Sequence, residues 1–180
     1  MKFIIFLTIS FISFSTFGQR PKKAIKKLGA DPVFFIDSVS VDKTELSKYQ
    51  PTEIASVSVY KDSNAINLVG PDGKDGVVYI TTIKFAKTKY WTYFKSKSAD
   101  YEKLVVTPES DTAVQYILNK RVLKSNFEGD LSLIDDKIFI ELKIIDKATL
   151  QKDYDITDKD YGVIIRSDKP PDLYKANKKF

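Results

Sequence analysis

Hydrophobic and polar positions are most regularly patterned between residues 54 and 82. The segment IASVSVY at 54–60 alternates with the two-residue period of a strand. The later segment VVYITT at 77–82 is rich in β-branched residues, which favour a central strand. Between them, Ala65, Ile66 and Val69 are the apolar positions of a predicted helix, and GPDG at 70–73 is a strong turn signal. We therefore predict strand, helix, turn and strand, with Gly76 opening the last strand after a tight connection in which glycine supplies positive φ.

The preceding residues predict further strand structure followed by a helical turn. Asp31-Pro32 breaks the chain, and VFFI at 33–36 then has the character of a buried strand. Residues 38–41 alternate, and they either continue this strand or return as a short second strand. Asp42 is a candidate N-cap for a helical turn at 44–49, which Pro51 would end. For the helix that carries Ala65, Ile66 and Val69, we expect Asp62 or Ser63 as the cap.

An aromatic-rich stretch follows the patterned region. Trp91, Phe94, Tyr101 and Val105 recur at three- and four-residue spacing, which predicts an amphipathic helix at 89–105. The rings support two interpretations. One is packing between modules, and the other is an exposed platform for a small ligand or glycan. The candidate platform residues are Tyr90, Trp91 and Tyr93.

The second half of the chain repeats the order of the first. After a break at 107–111, residues 115–119 parallel residues 33–37, a strand is predicted at 137–145, and GVII at 162–165 parallels GVVY at 76–79. The offset between the halves grows from 82 to 86 residues on this alignment. The pattern predicts an internal duplication, although a single sequence leaves the repeat open.

Together these elements predict an α+β fold of two small, similar plug-like modules. Each is a short mixed sheet with one or two helices, and an aromatic-rich helix joins them. The expected boundaries are a signal peptide at 1–18, a first module at 19–88, a linking helix at 89–106, a second module at 107–168 and a polar tail at 169–180.

The N-terminal segment indicates export. Lys2 precedes an apolar run to Phe17, and Thr16 and Gly18 are small residues before a predicted cleavage site. The run is short for a membrane span. The expected location is the periplasm, the outer-membrane periphery or the cell exterior. The formal charge is +5, and both ends are basic, so peripheral contact with an anionic membrane surface is an alternative role for the termini. Nucleic acid is not an expected partner.

Composition removes several classes of chemistry. The chain has no cysteine and no histidine, which excludes disulfides, thiolate–zinc sites and histidine-based triads. DITDKDYG at 155–162 loosely resembles a calcium loop, but the twelfth position is Arg166 or Lys169 rather than an acid. Gly73-Lys74 is followed by Asp75 and a strand, unlike a phosphate-binding loop. We expect no catalytic, cofactor-binding or metal-binding residues and no cofactor.

The patterned region resembles a known family. FFIDSVSV, a short helix and PTEIASVSVYKDSNAINLVGPDGKDGVVYITT are similar to the plug domain of TonB-dependent outer-membrane receptors, in its Bacteroidetes form. The resemblance covers residues 33–82, and Ser38 stands where the family has glycine. The matching positions are Ile36, Asp37, Pro51, Glu53, Ile54, Val57, Val59, Lys61, Asp62, Ala65, Gly70, Gly76, Val77, Val78, Ile80, Thr81 and Thr82.

The resemblance implies recognition or docking rather than chemistry. Too few residues follow Thr82 for a receptor barrel, so we expect a plug-like domain without a transport barrel. The expected function is a non-enzymatic protein-binding module of the bacterial cell envelope, with an envelope protein as partner. Exposed sheet edges and one loop are the predicted contact surface. The loop comprises Val69, Gly70, Pro71, Asp72, Gly73, Lys74 and Asp75.

Two alternatives remain open at this stage. A small-ligand or glycan binder would use the aromatic platform on the linking helix. A carboxylate-dependent hydrolase would use Asp135 with Asp136, or Glu109 with Asp111.

Overall fold

The computed structural model describes residues 28–168. The predicted signal peptide, the two basic ends and the polar tail lie outside the described residues. Within residues 28–168, no helix is long and apolar enough to cross a membrane.

The first module is a four-stranded sheet with one helix between its last two strands. The strands are β1 (Val33–Ile36), β2 (Val39–Val41), β3 (Ile54–Tyr60) and β4 (Val77–Thr82). Two 3-10 helices, Lys43–Lys48 and Pro51–Glu53, connect β2 to β3, and helix α1 (Asp62–Val69) with a 3-10 helix at Gly70–Asp75 connects β3 to β4. The Asp42 cap is confirmed, because its side chain accepts a hydrogen bond from the Thr44 amide. The predicted cap of α1 was wrong: Lys61 is the N-cap, and Asp62 is the first helical residue.

The second module repeats these elements. Its strands are β5 (Val114–Leu118), β6 (Arg121–Val122), β7 (Phe139–Asp146) and β8 (Tyr161–Ser167). Between the modules lie helices α2 (Ile83–Lys97) and α3 (Ala99–Leu104). Helix α4 (Glu128–Ser132) lies between β6 and β7, and α5 (Lys147–Tyr154) between β7 and β8.

The two sheets have the same topology. The strand orders are β2-β1-β4-β3 and β6-β5-β8-β7. In each sheet the first strand pairs antiparallel with the second and parallel with the fourth, and the third pairs antiparallel with the fourth. This confirms the prediction of an α+β fold with two similar small modules.

The same hairpin turn opens both modules. Asp37 and Ser38 have φ of 50° and 74°, and Asn119 and Lys120 have φ of 49° and 71°. Two positive φ values in a two-residue turn are typical of the type I′ hairpin. In the first module, the Asp37 carboxylate accepts hydrogen bonds from the amide and hydroxyl of Thr82, both at 2.7 Å.

Asn119 makes the corresponding contacts in the second module. Its Nδ2 donates to the carbonyl of Ser167 at 2.9 Å, and its Oδ1 accepts from the Ser167 amide at 3.1 Å. In both modules, therefore, the turn side chain fixes the end of the last strand.

Strand register extends the match and corrects the alignment made from sequence. A β-bulge separates Ile54 from Ser56, and an equivalent bulge separates Phe139 from Glu141. These bulges align β3 and β4 of the first module with β7 and β8 of the second at an offset of 85 residues. The sequence-based offset of 86 was therefore one residue too large. Tyr161, rather than Gly162, is the structural counterpart of Gly76.

The joining helix differs from its prediction. It begins at Ile83, directly after β4, because the Thr82 hydroxyl caps it by accepting from the Phe85 amide at 3.2 Å. It ends at Ser98, whose side chain caps α3 by accepting from the Tyr101 amide. The predicted helix at 89–105 is therefore two helices, and the first begins six residues earlier.

The larger core lies between sheet β6-β5-β8-β7 and helices α2, α3 and α4. Phe94 is fully buried there and contacts the rings of Tyr90 and Tyr101 at 5.8 and 5.7 Å between centroids. A smaller cluster on the other face of this sheet joins Ile117 and Ile145 to Leu150 of α5. Both faces of the second sheet are therefore covered by helices.

Helix α4 marks the main difference between the modules. It occupies the connection that holds two 3-10 helices in the first module, and it lies against β3. A Cβ added at Gly129 would lie 2.8 Å from the carbonyl oxygen of Ala55, so the absence of a side chain permits this approach.

Candidate functional site

The predicted loop at 69–75 combines scaffold and surface. Gly73 is buried, and a Cβ there would lie 2.4 Å from the carbonyl oxygen of Ala65. The Asp75 carboxylate accepts from the Asp31 amide at 3.2 Å, and its carbonyl accepts from the Gly29 amide at 2.8 Å. Pro71, Asp72 and Lys74 are exposed, whereas Val69 and Gly70 are half-buried. Three side chains of the loop are therefore exposed, whereas Gly73 and Asp75 contribute to the structure of the module.

The aromatic platform is not formed as predicted. Tyr90 is 1% exposed, and its hydroxyl donates to Asp111 at 3.0 Å. Trp91 donates from Nε1 to the Val105 carbonyl at 2.8 Å, and the Lys95 ammonium lies 4.4 Å from its ring centroid. The three rings do not share an exposed face, because helical geometry directs Tyr90 into the core.

Tyr93, the third ring, packs edge-on against Phe139 at 5.7 Å between centroids, and its hydroxyl donates to Asp136 at 3.0 Å. This arrangement favours the packing interpretation of the aromatic helix.

The core contains a group of buried tyrosine hydroxyls. The hydroxyls of Tyr101 and Tyr116 are hydrogen-bonded to each other at 2.8 Å, and Tyr90 packs edge-on against Tyr116. Burial raises the pKa of Tyr90 and of Tyr116 far above the ordinary value, with Asp111 adding to the shift at Tyr90 and Tyr101 adding to it at Tyr116. Burial likewise raises the pKa of Tyr101. The hydroxyls are bonded within the core, which indicates a structural role.

These raised pKa values predict alkaline unfolding. Tyrosine in the unfolded chain ionises near pH 10, whereas the folded protein keeps the three phenols neutral above that value. The contribution to stability is therefore complete below pH 10 and is lost as pH rises further. In a pH titration followed by phenolate absorbance, at least three of the ten tyrosines should ionise together with the loss of circular dichroism. Ionisation of all ten in a protein that keeps its native spectrum would contradict this.

Three of the four carboxylates named as hydrolase candidates serve separate structural contacts. Asp111 accepts from the Lys87 ammonium at 2.8 Å and from the Tyr90 hydroxyl. Asp135 accepts from the Lys137 amide at 3.0 Å. The hydrogen bonds from Lys97 and Tyr93 lower the pKa of Asp136. None of these contacts joins two carboxylates across a shared site.

The segment that resembles a calcium loop is likewise divided among structural roles. Asp155 ends α5 in the left-handed conformation, and Asp160 pairs with the Lys147 ammonium at 2.9 Å. Among residues 28–168, no group of three or more acidic side chains is placed to hold a metal ion.

A cleft of about 190 Å³ lies beside the Lys87–Asp111 pair, between β5 and α4. Three of its five charged lining residues are engaged by the protein itself, whereas exposed Lys124 and half-buried Glu128 also line it. Lys87 and Asp111 bind each other, and the Lys159 ammonium donates to the carbonyl of Thr112 at 2.7 Å. None of these three side chains offers a free charged group to a ligand.

The sheet edges differ in length and in cover. The edge strands β2 and β6 contain three and two residues. Edge strand β3 contains seven residues, and α4 lies against it through Gly129. Edge strand β7 contains eight residues, and within residues 28–168 no strand pairs with its outer side. Short edges are protected from pairing, and α4 obstructs β3 at Ala55, so β7 is the longest edge that a partner could pair with.

Comparison of the chain with protein-family models, with curated proteins and with solved structures found no match.

Proposed function

We propose that this protein is a non-enzymatic docking module of the bacterial cell envelope and that it binds a partner through the outer edge of β7. The observation that supports this proposal is the eight-residue edge strand, whose outer side faces no other strand in the described part of the chain. An exposed edge offers a row of backbone donors and acceptors to an added strand.

The side chains of β7 would add selectivity to the backbone hydrogen bonds. Leu142 and Ile144 pack on the aromatic core, whereas Glu141 and Lys143 lie on the opposite face and are exposed. In β-augmentation the main chain supplies affinity, and alternate side chains supply specificity. A partner strand would meet two charges of opposite sign on one face and aliphatic groups on the other.

The envelope location in this proposal rests on sequence. The predicted signal peptide would export the chain, and the resemblance of residues 33–82 to a receptor plug is in keeping with a recognition role at the outer membrane. Motif residues Asp37 and Thr82 bond to each other in the structure, so they act as scaffold. Binding is therefore assigned to the edge of the second module rather than to these residues.

Blocking the edge should strongly reduce partner capture. Ile140 lies on β7 and is 49% exposed, so Ile140→Lys adds a charge to the edge with little effect on the core. In crosslinked pull-downs from envelope extracts, the wild-type chain should recover a specific protein, and Ile140→Lys should recover much less. Val106→Lys is the matched control, because Val106 is 68% exposed and lies outside every strand.

Hydrogen exchange on the same complex tests the site directly. In the free monomer, amides on the outer side of β7 should exchange quickly, and they should be protected when the captured partner is bound. Equal capture by wild type and Ile140→Lys, together with unchanged exchange at β7, would refute docking through this edge.

A further inference from the structure

We infer that the strand accepted by β7 is β7 of a second copy of this chain, paired antiparallel across a two-fold axis. The inference rests on the proposed function, because it requires that the β7 edge accept a strand. Its basis is the self-complementarity of the residues that the edge presents. The result would be one continuous eight-stranded sheet, with β6-β5-β8-β7 contributed by each copy.

Symmetry limits the ways in which β7 can pair with itself. A two-fold axis between antiparallel edge strands is perpendicular to the sheet. Each face of the sheet in one copy therefore continues into the same face in the other copy. Residues that oppose each other must then come from the same face, and side chains on a strand alternate between faces. The axis must therefore pass beside a residue rather than between two residues.

The four central residues of β7 are the candidates for the axis: Glu141, Leu142, Lys143 and Ile144. An axis beside Ile144 places Leu142 opposite Asp146 of the other copy and forms no pair of opposite charges within β7. An axis beside Glu141 places this carboxylate against its own copy. An axis beside Lys143 places two ammonium groups together. An axis beside Leu142 places each Glu141 opposite the Lys143 of the other copy, twice in the dimer. Opposite charges across a strand pair stabilise it and like charges destabilise it, so the register centred on Leu142 is favoured.

The neighbouring side chains fit this register. Glu141 already accepts a hydrogen bond from Arg166 of its own sheet at 3.0 Å, so it would lie between two cations. Glu141 and Lys143 are exposed in the isolated chain, where Lys143 lies opposite the aliphatic Ile164 on β8. On the other face, half-buried Leu142 would meet its own copy and lose exposed surface.

Charge exchange on β7 tests the register. The chain that remains after removal of residues 1–18 should dimerise in sedimentation equilibrium. Glu141→Lys places lysine opposite lysine, and Lys143→Glu places glutamate opposite glutamate. Each variant should raise the dissociation constant of the dimer by about tenfold, since two attractive pairs become repulsive.

The double variant Glu141→Lys, Lys143→Glu restores opposite charges and should bring the dissociation constant back near the wild-type value. The loss of the Glu141–Arg166 contact is common to Glu141→Lys and to the double variant, so it does not account for a restoration. A mixture of the two single variants provides an independent measurement, because it should form heterodimers in preference to either homodimer.

The remaining outcomes separate this inference from the proposed function. Equal dissociation constants for all variants would overturn the β7–β7 pairing. A wild-type chain that stays monomeric, with fast-exchanging β7 amides, would overturn the second-copy inference and leave docking of a different protein intact. Protected β7 amides in a monomer would show that the chain covers this edge itself, and both proposals would then fail.

Discussion

Phe94→Ala should lower the free energy of unfolding by about 3–5 kcal/mol. Phe94 is fully buried, and its ring contacts those of Tyr90, Tyr93 and Tyr101. Truncation removes the transfer free energy of the ring and leaves a cavity that rigid aromatic neighbours fill poorly. Helix α2 begins directly after the first sheet, and the Phe94 ring packs in the core against the second sheet. Loss of this ring should therefore weaken both that core and the connection between the modules.

Phe85→Ala on the same helix is the matched control. Phe85 is half-buried and lies outside the aromatic cluster, so the same chemical change should cost clearly less. Urea unfolding followed by circular dichroism and by Trp91 fluorescence measures both variants. Equal costs at the two positions would show that Phe94 does not hold the core as described.

Asp111→Ala should be the most destabilising change of a polar side chain, at about 2–3 kcal/mol. The Asp111 side chain is 7% exposed and accepts hydrogen bonds from the Lys87 ammonium and the Tyr90 hydroxyl. Without it, the buried hydroxyl lacks its acceptor and the cation lacks its counter-ion. Leaving buried polar groups unpaired costs more than the net gain from forming the bonds.

Asp136→Ala supplies a control with the same partner types. Its carboxylate also pairs with a lysine, Lys97, and accepts from a tyrosine, Tyr93, but its side chain is 78% exposed. Water replaces the lost contacts there, so the change in stability should be much smaller. Lys87→Met combined with Asp111→Ala should cost less than the two single changes added together. Additive costs would show that the pair does not interact as the structure indicates.

The local pattern predicted most of the strands well because each depends on neighbouring residues. Residues 33–36 and 77–82 were predicted as strands, and the structure places β1 and β4 there. The hairpin turn at Asp37-Ser38 was not identified from sequence, and neither was its counterpart at Asn119-Lys120. Asp and Asn tolerate positive φ, so this was a signal that sequence could have supplied.

The start of α2 could not be read from local pattern. Ile83, Lys84 and Phe85 could continue β4 as well as begin a helix. The helix begins at Ile83 because the Thr82 hydroxyl caps it. Asp37, far away in sequence, holds Thr82 in place through two hydrogen bonds. A residue that is brought near only by strand pairing therefore sets the boundary between sheet and helix.

The candidate docking surface was likewise only partly predictable from the sequence. Alternation predicted a strand at 137–145, close to the observed β7, but it carries no information on the strand's neighbours. Loop 69–75 was predicted as surface from its glycines and proline, whereas the structure uses Gly73 for a close approach to α1.

By itself, the sequence determined where most of the strands lie, and it indicated that their order occurs twice. Those properties depend on side-chain periodicity and turn chemistry, which act over a few residues. Tertiary structure alone decided that α4 packs against the β3 edge at Ala55 and that the equivalent β7 edge is left without a neighbouring strand in the described residues. The physical reason is that the availability of an edge depends on what packs beside it, and packing joins residues that are far apart in the chain.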